Sequence, residues 1–356
     1  MAESERLQLR ELVVSGWENI RYLTGLDFSM FDGQAALLLS REASKIFYPR
    51  TWWIREPPEQ QGVELIGYDL SISPSQSKVD LVHALCHALV DSGNLGVDFS
   101  KSTISLSHWL KEKAKSLSLV DVTPLLSTLR SIKSPDETAL IERAASLCER
   151  GAEIARSQVR IGLTEVSLGA VIDSALREEG ATGFGFPTMI GSGANAADPV
   201  WIGSSKPIVS GEAVFVDIGP SVEGYLSDIT RTFFIGDPGS RIRSMFDGVR
   251  EALSECYDKA HQGMLACELD QVARGKLDRL GHGALFIHPA GHGVGLTVSE
   301  EPFIAPWSKL PLREGMVFTL EIGVYDRRSG GVRLEDTVRF RGSRLVPMTK
   351  CSYDPS

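Results

Sequence analysis

The sequence predicts an α+β catalytic domain of two similar halves, residues 131–356, preceded by an α/β domain, residues 1–130. Three observations lead there. A chain of 356 residues is long enough for two cores. Up to about Arg130, short apolar runs alternate with helical periodicity, the pattern of an α/β layer. Beyond it, helix-period stretches give way to strand-rich ones, and that order occurs twice. The composition, 42% hydrophobic and 23% charged, is that of an ordinary soluble globular protein. A net charge of −9 argues against a nucleic-acid or anionic-membrane surface and leaves room for an acidic metal site. Five scattered cysteines without a CxxC spacing read as reduced core thiols. The stretch MAESERLQLRE has no apolar signal core, and no apolar run approaches a membrane span. A cytoplasmic enzyme is the expectation.

In the first domain, Ala35–Leu39, Lys45–Tyr48, Val63–Gly67 and Leu95–Phe99 read as strands, and Ser77–Asp91 and Thr103–Lys115 as helices, so a mixed sheet is expected. The loop from Arg50 to Gln61, with Trp52, Trp53 and Pro57-Pro58, reads as an aromatic-anchored surface loop. The boundary falls at Ser131–Pro135. Ser134-Pro135-Asp136-Glu137 is a capping box with proline at the first helical position. The helix it opens aligns Ala144, Leu147, Cys148, Gly151, Ile154 and Ala155 on one stripe that should pack on a sheet. A second helix covers about Glu165–Glu179, after Thr164 and before Gly180. Later helices are expected at about Ser240–Gln262 and Glu268–Leu280, and the remainder, Leu285 to Pro347, is strand-rich.

Two hairpins carry the chemistry. The first, GEAVFVDIGPSVEGYLSDITRTFFIG, covers Gly211–Gly236. With its turn centred between Val222 and Glu223, Asp217 faces Asp228. Carboxylates opposite one another in apolar strands repel, and a cation between them is the simplest remedy. The second, VFTLEIGVYDRRSGGVRLEDTVRF, centred on Arg328, sets Glu321 opposite Glu335. Between the hairpins lies His288-Pro289-Ala290-Gly291-His292-Gly293-Val294-Gly295, where glycines permit close backbone approach and histidines offer metal or proton-transfer groups. Each residue alone has an ordinary reading: a turn aspartate, an edge glutamate or a structural histidine. Two mirrored carboxylate pairs with a glycine-framed imidazole point instead to divalent Mn, Co, Fe or Zn. Two such ions, about 3.5–4 Å apart, could share and activate a water.

These segments resemble the pita-bread metallopeptidases of family M24, the group of Xaa-Pro aminopeptidase, prolidase, methionine aminopeptidase and creatinase. The likeness rests on Asp217-Ile218-Gly219, Gly224-Tyr225, Asp228-Ile229-Thr230-Arg231-Thr232, His288 through Gly295, Thr319-Leu320-Glu321 and Val332-Arg333-Leu334-Glu335-Asp336. Asn19-Ile20-Arg21-Tyr22-Leu23-Thr24-Gly25 is similar to the creatinase-type N-terminal domain, and Arg130-Ser131-Ile132-Lys133-Ser134 to the linker of that family. The resemblance implies a pita-bread catalytic domain and a ligand set of Asp217, Asp228, His292, Glu321 and Glu335 for two ions bridged by Asp228 and Glu335. It also implies that Glu321 is the general base on the shared water, that His288 stabilises or protonates the tetrahedral intermediate, and that Arg333 orients carboxylates behind the ligands. A homodimer is implied, with Trp52 and Trp53 candidates for the rim of the partner's site.

The departures from that family concern the substrate. A histidine usual after Gly191-Ser192-Gly193-Ala194-Asn195 is Val200 here, another is Ser299 before Glu300, and a usual proline is Ile322. A donor that tightens in the transition state is worth on the order of 10²–10³ in rate, so weakened cleavage of ordinary Xaa-Pro peptides is expected. Phe184, Phe186, Trp201, Phe303 and Trp307 are candidates for an apolar pocket wall, or for core aromatics. The leading reading is a dinuclear metallohydrolase that cleaves a C–N bond in an Xaa-Pro-like dipeptide or small N-substituted amino acid. Two alternatives are non-peptidase chemistry on a small molecule and a pseudo-peptidase that binds protein; the complete ligand set favours the enzyme.

Overall fold

The structure is a computed structural model describing residues 7–31, 33–50, 61–69, 81–86, 88–89, 92–113 and 117–356. Trp52, Trp53, Pro57, Pro58 and the outer ends of the two helices expected at 77–91 and 103–115 lie outside these residues. The chain divides into two compact units, Met1–Leu129 and Arg130–Ser356.

The first unit holds strands β1 (Leu9–Val14), β2 (Ala36–Ser40), β3 (Ser44–Arg50), β4 (Val63–Asp69), β5 (Gly93–Val97) and β6 (Leu117–Asp121). Helices α1 (Trp17–Thr24), α2 (Leu81–Cys86), α3 (Ile104–Lys113) and α4 (Thr123–Ser131) alternate with them, α4 running past the unit boundary. The sheet order is β4-β3-β2-β1-β5-β6, parallel at β1–β5, β3–β4 and β5–β6 and antiparallel elsewhere. The mixed sheet expected from sequence is therefore present. Strand alternation sends Val13, Leu38 and Phe47 to one core and Val14, Leu37 and Ile46 to another. The segment Asn19–Gly25 forms α1 and its cap, and Asn19 Nδ2 donates to the buried Asp98 Oδ2 at 2.7 Å.

In the second unit α5 (Pro135–Gln158) begins at the expected capping box: Ser134 Oγ accepts from Glu137 N, and Glu137 Oε2 accepts from Ser134 N. Such a cap contributes about 1 kcal/mol. Next come α6 (Glu165–Glu178), β7 (Gly183–Phe184), β8 (Met189–Ser192), β9 (Glu212–Ile218), β10 (Pro220–Val222), β11 (Tyr225–Leu226) and β12 (Ile229–Ile235). Helices α7 (Gly239–Lys259) and α8 (Ala266–Arg279) precede β13 (Gly291–Gly293), β14 (Glu300–Ile304), β15 (Val317–Asp326), β16 (Gly330–Arg341) and β17 (Arg344–Pro347). The main sheet runs β14-β13-β15-β16-β12-β9-β8, every pairing antiparallel, with β17 also on β16. Phe318, Leu320, Ile322 and Val324 of β15 bury against α7 and α8. Val214, Val216 and Ile218 of β9 bury against α5 and α6. These apolar faces anchor the sheet and leave the opposite face, one residue out of phase, for chemistry.

The two hairpins differ in how well their register was foreseen. On β15 and β16, Glu321 faces Glu335 as expected. In the first hairpin Asp217 faces Thr230, and the expected Asp217–Asp228 facing pair is corrected by one turn position. The turn is centred on Glu223 and Gly224, with φ of 47° and 78°. A two-residue turn with both φ positive matches strand twist and favours glycine second, so Glu-Gly, not Val-Glu, forms the corner. Beyond Ile218 the ribbon leaves the main sheet: β10 and β11 pair with each other and join β7 in a three-stranded sheet.

Candidate metal centre

One row of facing residues crosses four strands of the main sheet: Glu321 on β15, Glu335 on β16, Thr230 on β12 and Asp217 on β9. Asp228 lies outside the ladder, between β11 and β12. The Thr337 hydroxyl substitutes for a ladder partner, accepting from Asp228 N at 3.0 Å and donating to Asp228 O at 2.9 Å. His292 comes in on β13, positioned by its backbone N–H to Thr319 Oγ1 at 3.1 Å and by flanking glycines. A Cβ on Gly293 would lie 2.3 Å from Glu301 O, so only glycine fits that approach. On the other side, the Glu321 N–H donates to Ala290 O at 2.8 Å and ties this segment to β15.

Asp228, His292 and Glu335 each offer a ligand atom, and these atoms lie within 4.8 Å of one another. The His292 Nδ1 is 3.3 Å from the Gly293 carbonyl, which can only accept, so Nε2 is the lone pair left for a cation. Asp217 and Glu321 join through Arg333. Its Nη2 donates to Asp217 Oδ2, and its Nε lies 3.6 Å from Glu321 Oε1. Arg333 Nε also donates to Thr230 Oγ1 at 3.0 Å, and that hydroxyl donates to Glu335 Oε2 at 2.8 Å. All five candidate ligands and Arg333 are thus brought together.

The electrostatics are those of a cradle built for positive charge. Among the described residues, Asp217 Oδ1, Asp228 Oδ1 and Glu335 Oε1 are buried oxygens without a hydrogen-bond partner. Three orphaned carboxylate oxygens in one place are costly unless something cationic compensates them. Burial, reinforced by the neighbouring carboxylates, pushes the Asp228 and Glu335 carboxyls well above their usual range. Burial also raises Asp217, against the opposing charge of Arg333. At Glu321 burial acts upward too, but His288, Arg333 and His292 outweigh it and hold the carboxyl below its usual range. Four carboxylates and one imidazole are hard-to-borderline donors of the kind that hold Mn, Co, Fe or Zn. The residues present fit divalent ions.

His288 sits beside this row. Its Nδ1 donates to the Pro289 carbonyl at 2.8 Å, and its Nε2 is 3.0 Å from the Tyr325 hydroxyl. Burial lowers its pKa, so it is a neutral imidazole whose tautomer the Pro289 carbonyl selects. Its backbone is gripped from α8. Arg274 Nη2 donates to His288 O at 2.6 Å, while Asp270 accepts from Arg274 and from Ala290 N.

The candidate pocket residues differ in burial and in partners. Val200 is exposed, and it follows Pro199, whose carbonyl accepts from Arg333 Nη1 at 2.8 Å. Ser299 is exposed and precedes Glu300, which accepts from Lys133 Nζ at 2.7 Å and from Arg130 Nη2. Phe186 is half-buried with its ring over Gly219. Phe184 packs on the α5–α6 core, Phe303 is half-buried and Trp307 is 68% exposed. Trp201 is held through its indole nitrogen, Nε1 donating to Glu165 Oε2 at 2.9 Å. Sequence reasoning missed Thr230 and Tyr325, although each shares strand parity with a recognised carboxylate, Asp228 and Glu321 respectively.

Comparison with known proteins gives a consistent result. The profile of metallopeptidase family M24 matches residues 139–341, and that of the creatinase/prolidase N-terminal domain matches residues 2–132. The chain is 35% identical over 262 residues to an Xaa-Pro dipeptidase of Pyrococcus furiosus, covering 74% of this chain and 75% of that protein. It is 30% identical over 322 residues to an Xaa-Pro dipeptidase of Lactobacillus helveticus, covering 89% and 86%. The crystal structure of the prolidase from Pyrococcus horikoshii superposes with a TM-score of 0.90 at 28% identity, covering 100% of this chain and 98% of that one.

Proposed function

The chain belongs to metallopeptidase family M24 and is a metallohydrolase, and from that membership we propose that it is a dinuclear metal-dependent dipeptidase acting on Xaa-Pro-like dipeptides. The observation that carries the proposal is the cluster of Asp228, His292 and Glu335 within 4.8 Å, with Asp217 and Glu321 tied beside it by Arg333, where three buried carboxylate oxygens lack partners. Asp217, Asp228, His292, Glu321 and Glu335 would hold two divalent ions, and Mn, Co, Fe and Zn all suit the donor set. When bound, the ions supply Lewis-acid polarisation of the scissile carbonyl and lower the pKa of a water.

The protein's own residues supply the rest. Glu321, an ionised carboxylate whose Oε1 lies 3.6 Å from Arg333 Nε, accepts the proton of the attacking water. Arg333 keeps Asp217 and Glu321 aimed into the centre and steers Glu335 through the Thr230 hydroxyl. Neutral His288 and Tyr325 form a hydrogen-bonded unit beside Glu321 that restricts where a substrate carbonyl can sit. Val200 and Ser299, exposed where imidazole donors were expected from resemblance, support a second reading in which the preferred substrate is another small N-substituted amino acid.

No helix among the described residues is long and apolar enough to cross a membrane. A cytoplasmic homodimer is the arrangement we propose, to be checked by light scattering and fractionation. The test of function is a metal-loaded activity screen over Xaa-Pro dipeptides, longer peptides and small N-substituted amino acids. Release of free proline from dipeptides supports the proposal; a chain that binds metal yet hydrolyses none of the three classes would overturn it.

A further inference from the structure

Glu165 is the first residue of α6, and its side chain is fully buried. Its Oε1 accepts from Ser192 N at 2.8 Å, Ser192 Oγ at 2.6 Å and Asn195 Nδ2 at 3.1 Å. Its Oε2 accepts from Trp201 Nε1 at 2.9 Å, Ser204 N at 3.0 Å, Ser204 Oγ at 2.8 Å and Asn195 Nδ2 at 3.1 Å. Every one of these donors is uncharged, and all lie between the last residue of β8 and Ser204. A buried carboxylate ordinarily demands a cation. Here the surrounding segment solvates the charge directly, helped by the helix N-terminus at which Glu165 stands and by Lys206, whose Nζ donates to Ser192 Oγ at 2.9 Å. Burial alone would raise this carboxyl, and the hydrogen bonds from Ser192, Trp201 and Ser204 outweigh it, so the group is held ionised.

The same loop is fastened a second time, at the metal centre. Arg333 Nη1 donates to Pro199 O at 2.8 Å, and the same guanidinium donates to Asp217. The segment from Pro199 to Trp201 is therefore strung between a candidate metal ligand's partner and the Glu165 carboxylate. With the Trp201 indole pinned to Glu165, its neighbours Val200 and Ile202 are left 66% and 57% exposed. Two exposed aliphatic side chains fixed one and three residues from a carbonyl on Arg333 form a surface that an apolar substrate group can press against.

We propose that Glu165 is a positioning residue for substrate recognition, holding Pro199–Ile202 so that Val200 and Ile202 form an aliphatic wall beside the metal centre. The proposal rests on the dipeptidase reading for the identity of what is recognised. It does not rest on that reading for the ordering of the loop.

The test uses the metal-loaded full-length protein, with Glu165→Gln and the milder Trp201→Phe, which removes a single hydrogen bond. Expected is a KM for Leu-Pro raised about 10-fold in Glu165→Gln and about 3-fold in Trp201→Phe, with kcat within about 2-fold of the parent. The double variant should fall short of the product of the two effects, because both act through one contact. Metal content per chain should match the parent in every variant. Amide hydrogen exchange across residues 193–204 should accelerate in Glu165→Gln while β9 and β16 stay protected. A fall in kcat at constant KM, or loss of metal, would overturn the proposal, and so would unchanged exchange across 193–204. If the parent enzyme turns over no dipeptide, the dipeptidase reading fails, and the exchange measurement still decides whether Glu165 orders the loop.

Discussion

The Tyr325 hydroxyl stands 3.0 Å from His288 Nε2, and the roles in that contact are determined. His288 Nδ1 carries its hydrogen to the Pro289 carbonyl, so neutral Nε2 can only accept and Tyr325 donates. The phenol oxygen in turn accepts from Arg333 Nη1 at 3.1 Å. Tyr325→Phe leaves a buried imidazole nitrogen and one arginine N–H short of a partner, each costing about 1–3 kcal/mol. Expected are an unfolding free energy lower by that order and a kcat/KM lower by about 10-fold. Denaturant titration and steady-state kinetics check both, and a variant indistinguishable from the parent would remove Tyr325 from the support of the site.

Glu321→Gln keeps the shape of the side chain and removes the proposed base. Proton transfer by a positioned group contributes about 10²–10⁴ in rate, and a loss of at least that size in kcat is expected. Circular dichroism should be unchanged. Residual turnover within about 10-fold of the parent would assign the base elsewhere.

In the proposed centre, metal and proton would compete for the raised carboxyls of Asp228 and Glu335. In the unfolded chain such groups ionise at about pH 4. Below that pH both states are protonated and the metal-free fold incurs no penalty. As pH rises, the unfolded chain releases protons that the folded chain retains, so metal-free stability falls as pH climbs through the raised folded values. Divalent ions displace those protons, and their affinity rises over the same window. The gain in Tm on adding Mn²⁺ or Zn²⁺ should therefore be larger at pH 8 than at pH 5.5. Equal gains at the two pH values would mean that no protons are displaced.

Val200 and Ser299 are both exposed, so imidazoles can be introduced there without disturbing the core. Val200→His combined with Ser299→His should raise kcat for Xaa-Pro dipeptides by about 10–10², the worth of donors that tighten in the transition state, while the loss of the Val200 side chain raises KM. No gain, in a variant that retains its metal, would mean that the pocket selects for something other than a prolyl amide.

Much of this centre was legible in the sequence because strand parity is strict. The Glu321–Glu335 register followed from the second hairpin, and Tyr325 and Thr230 could have been found by counting in twos from Glu321 and Asp228. The first hairpin misled because its corner depends on the positive φ of Glu223 and Gly224, a backbone state that Glu-Gly announces less plainly than Asn-Gly. Asp228 still reaches the site, since its place is set by the Thr337 hydroxyl on another strand. Strands β1 and β6 and helices α1 and α4 were not assigned individually, their short patterns being ambiguous without the neighbours they pair with. The role of Trp201 was beyond sequence, because an indole in a loop looks the same whether it lines a pocket or anchors to a glutamate one helix away.

The proposed donor set has a consequence for what the purified protein would contain. Affinities of four carboxylates and one imidazole for first-row divalent ions follow a common order whatever fold presents them, so the fold adds little selectivity of its own. Occupancy is then governed by supply. Preparations from manganese-rich, cobalt-supplemented or zinc-contaminated media should carry different ions in the same cradle, making the metal an imprint of the cell's inventory.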